Sequence, residues 1–180
     1  MILQTERLIL EPWSVDRIED LVRLSSDPAV MRFIGSGDPW ERERADHMHS
    51  DLLNHWSEHG FGWRTIRQAD ESEVIGVLGL SYTGPEAVEI PTPEVEIGWW
   101  LDPEVWGRGL ATEAAARVRN DAFERLRLDK VIARHQVANP TSGRIMEKIG
   151  MTFEREAVGR HGDHVRIWAI GRDDWLRLGR

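Results

Sequence analysis

One stretch constrains this chain more than any other: Val95-Glu96-Ile97-Gly98-Trp99-Trp100-Leu101, then Asp102-Pro103, then Gly107-Arg108-Gly109-Leu110. The first part predicts a strand, and Asp102-Pro103 breaks it. Beyond the glycines, Leu110, Ala114, Val118 and Ala122 recur every four residues, with Ala111 and Ala115 alongside. That period predicts a helix over 107–128. Strand, glycine turn and helix N-terminus in this order make an anion site. Glycines let the backbone come close, while unpaired first-turn amides and the helix dipole favour negative charge. A pyrophosphate suits such a site. A P-loop is excluded because no lysine follows Gly109. A dinucleotide fingerprint needs a third small residue where Thr112 stands, and Asp102–Trp106 separates the turn from its strand. The two glycines alone also fit a tight turn that only opens a helix.

The remaining pattern is read around this stretch. Arg7–Glu11 is a first strand, ended by Pro12. Ser14 is an N-cap for a helix reaching about Ser26. Asp38-Pro39 opens a second helix, with Pro39 at its first position, the apolar stripe Met48, Leu52 and Trp56, and Gly60 as its stop. Phe61–Arg67 and Val74–Thr83 form a hairpin, followed by the loop Gly84–Pro93. Lys130–Val137 is a strand, and Asn139–Ile149 a short helix closed by Gly150. Met151–Arg160 and His164–Ile170 make a final hairpin. This is a mixed α/β chain, one domain over 1–180 with no linker to divide it.

Composition excludes several classes. There is no cysteine, which removes disulfide scaffolds, thiolate metal sites and a cysteine nucleophile. No run of about 18 apolar residues exists to cross a bilayer, and Glu6, Arg7 and Glu11 interrupt the N-terminus, so neither a membrane span nor a signal peptide is expected. A cytoplasmic protein follows as the expectation. The net charge of −8 argues against nucleic acid. Residues 1–100 hold 8 basic and 19 acidic side chains, whereas residues 101–180 hold 15 and 12. The first part therefore favours a cationic partner and the second an anionic one, against the plainer reading of solvated surface charge. Glu41, Glu43, Asp46 and Asp51 on the second helix are the acidic candidates. His55 and His59 stand four apart, but no metalloprotease pattern surrounds them, and no metal site is expected.

Trp106-Gly107-Arg108-Gly109-Leu110-Ala111 resembles the acetyl-coenzyme A pyrophosphate motif of the GNAT N-acetyltransferases, Gln/Arg-x-x-Gly-x-Gly/Ala, with Trp at the first position. With Thr112-Glu113-Ala114 behind it, the segment is similar to the branch that includes the ribosomal-protein N-terminal acetyltransferases. Thr5-Glu6-Arg7-Leu8, Val74-Ile75-Gly76-Val77-Leu78-Gly79 and Asn139-Pro140-Thr141-Ser142 with Glu147-Lys148-Ile149-Gly150-Met151 match that branch in the same order. The resemblance implies a mostly antiparallel sheet flanked by helices and splayed between its fourth and fifth strands. It implies acetyl transfer from acetyl-coenzyme A to a primary amine by direct attack in a ternary complex.

By that resemblance, Trp99, Trp100 and Leu101 lie along the pantetheine arm. Trp106, Gly107, Arg108, Gly109, Leu110, Ala111 and Thr112 cradle the pyrophosphate, with the amides of Arg108, Gly109 and Ala111 as donors. Asn139 bonds the arm; by its position it is also an N-cap. Glu96 is a candidate base, against the alternative of a structural ion pair. Relatives place a Tyr acid where Met146 stands, so Ser142 substitutes by position, against a plain helix residue. Glu11 stands where relatives often have Arg. Tyr82 is a candidate for the acceptor pocket, and His161 and His164 for contact with substrate. The acceptor is a small amine or a protein N-terminus, cationic by the charge split, and the protein a monomer or homodimer. A rival reading is a non-catalytic acyl-coenzyme A-binding domain that senses the cofactor or binds a protein.

Overall fold

The computed structural model describes residues 1–179. The strands are β1 (Leu3–Gln4), β2 (Leu8–Pro12), β3 (Trp63–Gln68), β4 (Val74–Tyr82), β5 (Val95–Leu101), β6 (Lys130–Gln136), β7 (Thr152–Val158) and β8 (His164–Gly171). The helices are α1 (Ile18–Ser25), α2 (Pro28–Met31), α3 (Arg42–His59), α4 (Leu110–Glu124), α5 (Pro140–Lys148) and α6 (Arg172–Arg177). All eight strands form one sheet in the order β1-β2-β3-β4-β5-β6-β8-β7. Every pairing is antiparallel except β5 with β6, which run parallel and share only the register pair Glu96–Ile132. On its other side β5 pairs with β4 along its whole length, from Val95–Tyr82 to Leu101–Gly76. The sheet is therefore closed up to Glu96 and open beyond it. That is the splay expected between Val95–Leu101 and the following strand, the fourth and fifth of the sequence reading.

Alternation along the strands loads two faces. Leu8, Leu10, Ile66, Leu78, Ile97 and Val131 point toward α4, α5 and α6, burying Leu110, Val118, Phe123, Met146 and Trp175. The opposite face of β3 and β4 packs Trp63 and Val77 against Trp13, Leu21, Leu24 and Leu52 beneath α1 and α3. A third cluster puts Ala87 and Ile90 of the β4–β5 loop on Ile132, Ile167 and Ala169. That loop is thus pinned to the sheet beside the splay.

Several boundaries move, each for a physical reason. Pro39 is outside α3, whose N-cap is Glu41. Trp40 donates its backbone N–H to the Ser25 carbonyl at 2.8 Å and packs edge-on against Trp100, which ties residues 38–40 to α1 and β5 ahead of the helix. Ser14 precedes a short 3-10 turn, Val15–Arg17, and its hydroxyl donates to Asp16 instead of capping. The long helix starts at Leu110, not Gly107, because Gly107 and Gly109 have φ of +76° and +78°. It ends at Glu124, where the amides of Arg125 and Leu126 both return to the Asp121 carbonyl. Strand β1 and helices α2 and α6 are absent from the sequence pattern: they are too short to show a period.

Candidate active site

A cleft of about 820 Å³ runs from the β5–β6 gap to the N-terminus of α4. Trp99, Trp100, Leu101, Trp106, Gly107, Gly109, Leu110, Ala111, Thr112, Asn139, Ser142 and Glu96 all line it. One fold thus gathers residues up to 46 positions apart in the chain, and of the candidate catalytic and coenzyme-binding residues Arg108 alone lies off the lining.

At one end the chain leaves backbone donors and open space of the kind that suits an anion. The first intrahelical bond of α4 runs from the Glu113 amide to the Gly109 carbonyl at 3.1 Å. The amides ahead of it are the orphan donors that every helix start leaves unpaired. A Cβ on Gly107 would meet nothing within 4 Å, and one on Gly109 only Arg7 Nη2 at 3.7 Å. The two glycines are needed for their left-handed backbone, and the space beside them is open. Leu110 contributes its amide alone, since its side chain is core. Trp106 stands half exposed, its indole N–H donating to the Leu101 carbonyl at 2.8 Å. Trp106 thereby ties the loop to the end of β5. Arg144 and Lys148 of α5 add positive charge to the lining.

A latch that the sequence reading missed holds this pocket in place. Glu113 accepts from Thr5 Oγ1 at 2.5 Å, from the Arg7 amide at 3.0 Å and from Arg7 Nε at 2.6 Å. Arg7 Nη1 also donates to the Arg108 carbonyl at 3.0 Å, and Arg108 Nη2 to Gln68 Oε1 at 2.8 Å. Burial works to raise the Glu113 pKa, but the bonds from Thr5 and Arg7 outweigh it and leave the carboxyl below its ordinary value. Thr5-Glu6-Arg7 and Thr112-Glu113 are separate motifs in the sequence, and this contact joins them. Their shared appearance was the available signal.

Along the cleft, β5 shows the splayed edge between Glu96 and Leu101. Five residues at about 3.3 Å rise separate its ends by roughly 17 Å. Trp100 packs edge-on against Trp40 and Trp63, at 5.1 and 5.4 Å between ring centroids. Asn139 caps α5, accepting from the Ser142 amide at 3.3 Å through Oδ1. Its Nδ2 donates to Ser142 Oγ at 3.2 Å. That bond uses a lone pair of the hydroxyl and leaves the Ser142 O–H as a donor. Met146, where the Tyr acid of many relatives is expected, is buried.

At the other end Glu96 is held by Arg134 of β6, with Nε to Oε1 at 2.9 Å and Nη2 to Oε2 at 2.7 Å. A carboxylate has about four lone-pair sites, so this fork leaves two of them free. Arg134 also bonds Glu89 of the β4–β5 loop. The two carboxylates hold the Arg134 pKa above the ordinary guanidinium value, against burial, which works to lower it. The acidic candidates of α3 do not reach this end. Glu41, Glu43, Asp46 and Asp51 lie off the lining, and Asp46 is paired with Arg42 at 3.0 Å. The reason is the rotation of α3, which turns Leu52 to the sheet and these carboxylates to solvent. The lining carboxylates are instead Glu86, Glu89, Glu96 and Asp163. Tyr82 sits outside the lining, packed with His55, His59 and Phe61, while His161 is on the lining and His164 is not.

The model of the acetyltransferase (GNAT) domain matches residues 7–152. The chain belongs to the GNAT acetyltransferases. It is 32% identical to a protein of Aspergillus fumigatus named FsC-acetyl coenzyme A-N(2)-transacetylase, over 98% of this chain and 78% of that one. It superposes on an acetyltransferase from Agrobacterium tumefaciens with a TM-score of 0.77 at 29% identity, covering 93% of each chain. A spermidine N-acetyltransferase from Vibrio cholerae, solved with coenzyme A and spermine, shares the fold with a TM-score of 0.76 at 20% identity, covering 96% of this chain and 99% of that one. This GNAT chain is in general terms an acetyl-coenzyme A-dependent N-acetyltransferase. Its cleft fits the coenzyme. Open space faces the glycine backbone, orphan amides stand at one end, and the free edge of β5 offers backbone groups that pair with a chain of amides. Among the described residues no helix is long and apolar enough to cross a membrane.

Proposed function

We propose that this GNAT chain holds acetyl-coenzyme A along β5 and the α4 N-terminus and acetylates a cationic primary amine directly, both substrates being bound at once. The observation that carries the reading is the meeting of the β5–β6 splay with the Gly107–Gly109 turn in one cleft. The amides of Gly109 and Ala111 at the first turn of α4 hold the pyrophosphate, together with the amide of Arg108. The open edge of Trp99, Trp100 and Leu101 receives the amides of the pantetheine arm, and Asn139 bonds the arm from the start of α5. When bound, the coenzyme supplies an acyl thioester. This chain's part is to orient the amine and move protons. Glu96 takes a proton from the ammonium through its unpaired lone pairs, directly or by way of a water. As the amide C–N bond forms and the thioester C–S bond breaks, the Ser142 hydroxyl, held by Asn139, donates its proton to the departing sulfur.

The test is release of free thiol from acetyl-coenzyme A over a panel of mono- and di-cationic, neutral and acidic amines. Thiol release with cationic amines, weakened by salt, is the expected result. A chain that gains thermal stability from acetyl-coenzyme A but releases no thiol with any amine would be a binding domain, and the reading would be wrong.

A further inference from the structure

The acceptor end of the cleft contains two carboxylates and one guanidinium. Glu89 comes from the middle of the β4–β5 loop, Glu96 from β5, and Arg134 from the neighbouring strand β6. The Glu89 side chain is 3% exposed, and its Oε2 is buried with no hydrogen-bond partner among the described residues. An unpaired oxygen on a buried carboxylate is costly, and a sequence needing only structure would fill the place with an apolar side chain. The backbone fixes Glu89 there: its carbonyl accepts from Arg155 Nη2 at 3.0 Å, and Ala87 and Ile90 on either side are buried on the sheet. Within the trio two carboxylates share one guanidinium, an excess of one negative charge, and the Arg155 guanidinium on the Glu89 carbonyl is a further cation beside it.

We infer that Glu89 is a positioning residue for Glu96: by sharing Arg134 it keeps the guanidinium from neutralising Glu96, so that Glu96 retains the basicity and the negative field that a cationic amine requires. This rests on the proposed role of Glu96 as base. Charged and titratable groups surround the trio on every neighbouring element, beginning with Arg155 of β7, which bonds the Glu89 carbonyl. On the β4–β5 loop and β5 they are Glu86 and Glu94, the latter paired with Lys130 of β6 at 3.0 Å. Lys130 also meets Glu154 of β7, and Arg166 of β8 pairs with Glu156 at 2.9 Å. His135 of β6, Arg44 of α3, and Arg160, His161 and Asp163 of the β7–β8 turn line the same cleft.

The inference makes a prediction with two opposite signs. Glu89→Gln removes the second carboxylate charge and leaves the Arg134 charge, already forked on Glu96, without its other counterion, so the acidic limb of kcat/KM for a cationic amine moves to lower pH and KM rises. Arg134→Gln removes the neutralising charge, so the limb moves to higher pH. A unit charge within a few ångströms shifts such a limb by about one pH unit or more. Glu89→Asp keeps the charge and holds the wild-type position. The assay is thiol release with a diamine across pH, on full-length variants whose melting is checked first. If Arg134→Gln does not fold, the direction of the Glu89→Gln limb and its return in Glu89→Asp decide alone. Opposite shifts, or a downward shift restored by Asp, support the inference. A limb lost in Glu96→Gln but unmoved, or moved the same way, by the other two variants overturns it and leaves Glu96 as base. A limb that persists in Glu96→Gln overturns both.

Discussion

Gly109 separates a loop that binds from a loop that only turns. Its φ is +78°, and a Cβ there would meet only Arg7 Nη2, at 3.7 Å. Gly109→Ala therefore adds no clash, and its direct cost is the left-handed backbone, roughly 1–2 kcal/mol. At about 2–4 °C per kcal/mol for a domain of this size, melting falls by roughly 2–8 °C. Gly60, the C-cap of α3, is a matched control: its φ is +70°, its Cβ would meet nothing within 4 Å, and it is off the cleft lining. The two alanines should melt alike without ligand. Acetyl-coenzyme A at 100 times its wild-type Kd stabilises the wild type by about 2.7 kcal/mol, and Gly60→Ala by the same amount. If the alanine turns aside one charge-assisted amide bond, roughly 1.5–3 kcal/mol of binding is lost and Kd rises about 10- to 150-fold. At the same ligand concentration the stabilisation of Gly109→Ala then falls to roughly 0.3–1.3 kcal/mol. The assay is the thermal melt of the three proteins with and without acetyl-coenzyme A. An undiminished ligand shift in Gly109→Ala would refute the pyrophosphate site and leave the glycine as a turn residue.

Ser142→Ala should lower kcat by ten-fold or more with little change in the Kd of acetyl-coenzyme A, because Asn139 still caps α5 through the Ser142 backbone; equal turnover in a steady-state assay would remove the hydroxyl from the reaction. Gly79→Ala should destabilise the fold by about 2 kcal/mol or more, since its Cβ would stand 2.2 Å from the Trp63 Cα, and denaturant melts measure it. Burial, the largest cause, lowers the pKa of both His55 and His135 below 6.5. The unfolded chain then binds protons first, so their contribution is complete above pH 6.5 and is lost as pH falls toward the lowered folded values. Urea melts from pH 7.5 down to 5 should show that loss, and replacing both histidines by Gln should flatten it.

The anion end of the cleft was legible because it is local. Strand, glycine turn and helix follow one another within twenty residues, and the free amides of a helix start belong to the backbone whatever packs around them. The periodic elements were legible for the same reason: a buried face repeats at the period of its own helix or strand. Only the tertiary structure decided the other end of the cleft, around Glu96. The charge split pointed to carboxylates on the second helix, but the burial of Leu52 rolls them to solvent, and the loop pinned by Ala87 and Ile90 brings Glu89 to the cleft lining instead. Glu96 in the sequence is a carboxylate of either role, and its partner Arg134 is 38 residues away. The Arg7–Glu113 latch spans 106 residues. Charges act through space and local pattern acts along the chain, so a side chain whose role depends on its neighbour's charge can be assigned only once folding has chosen that neighbour.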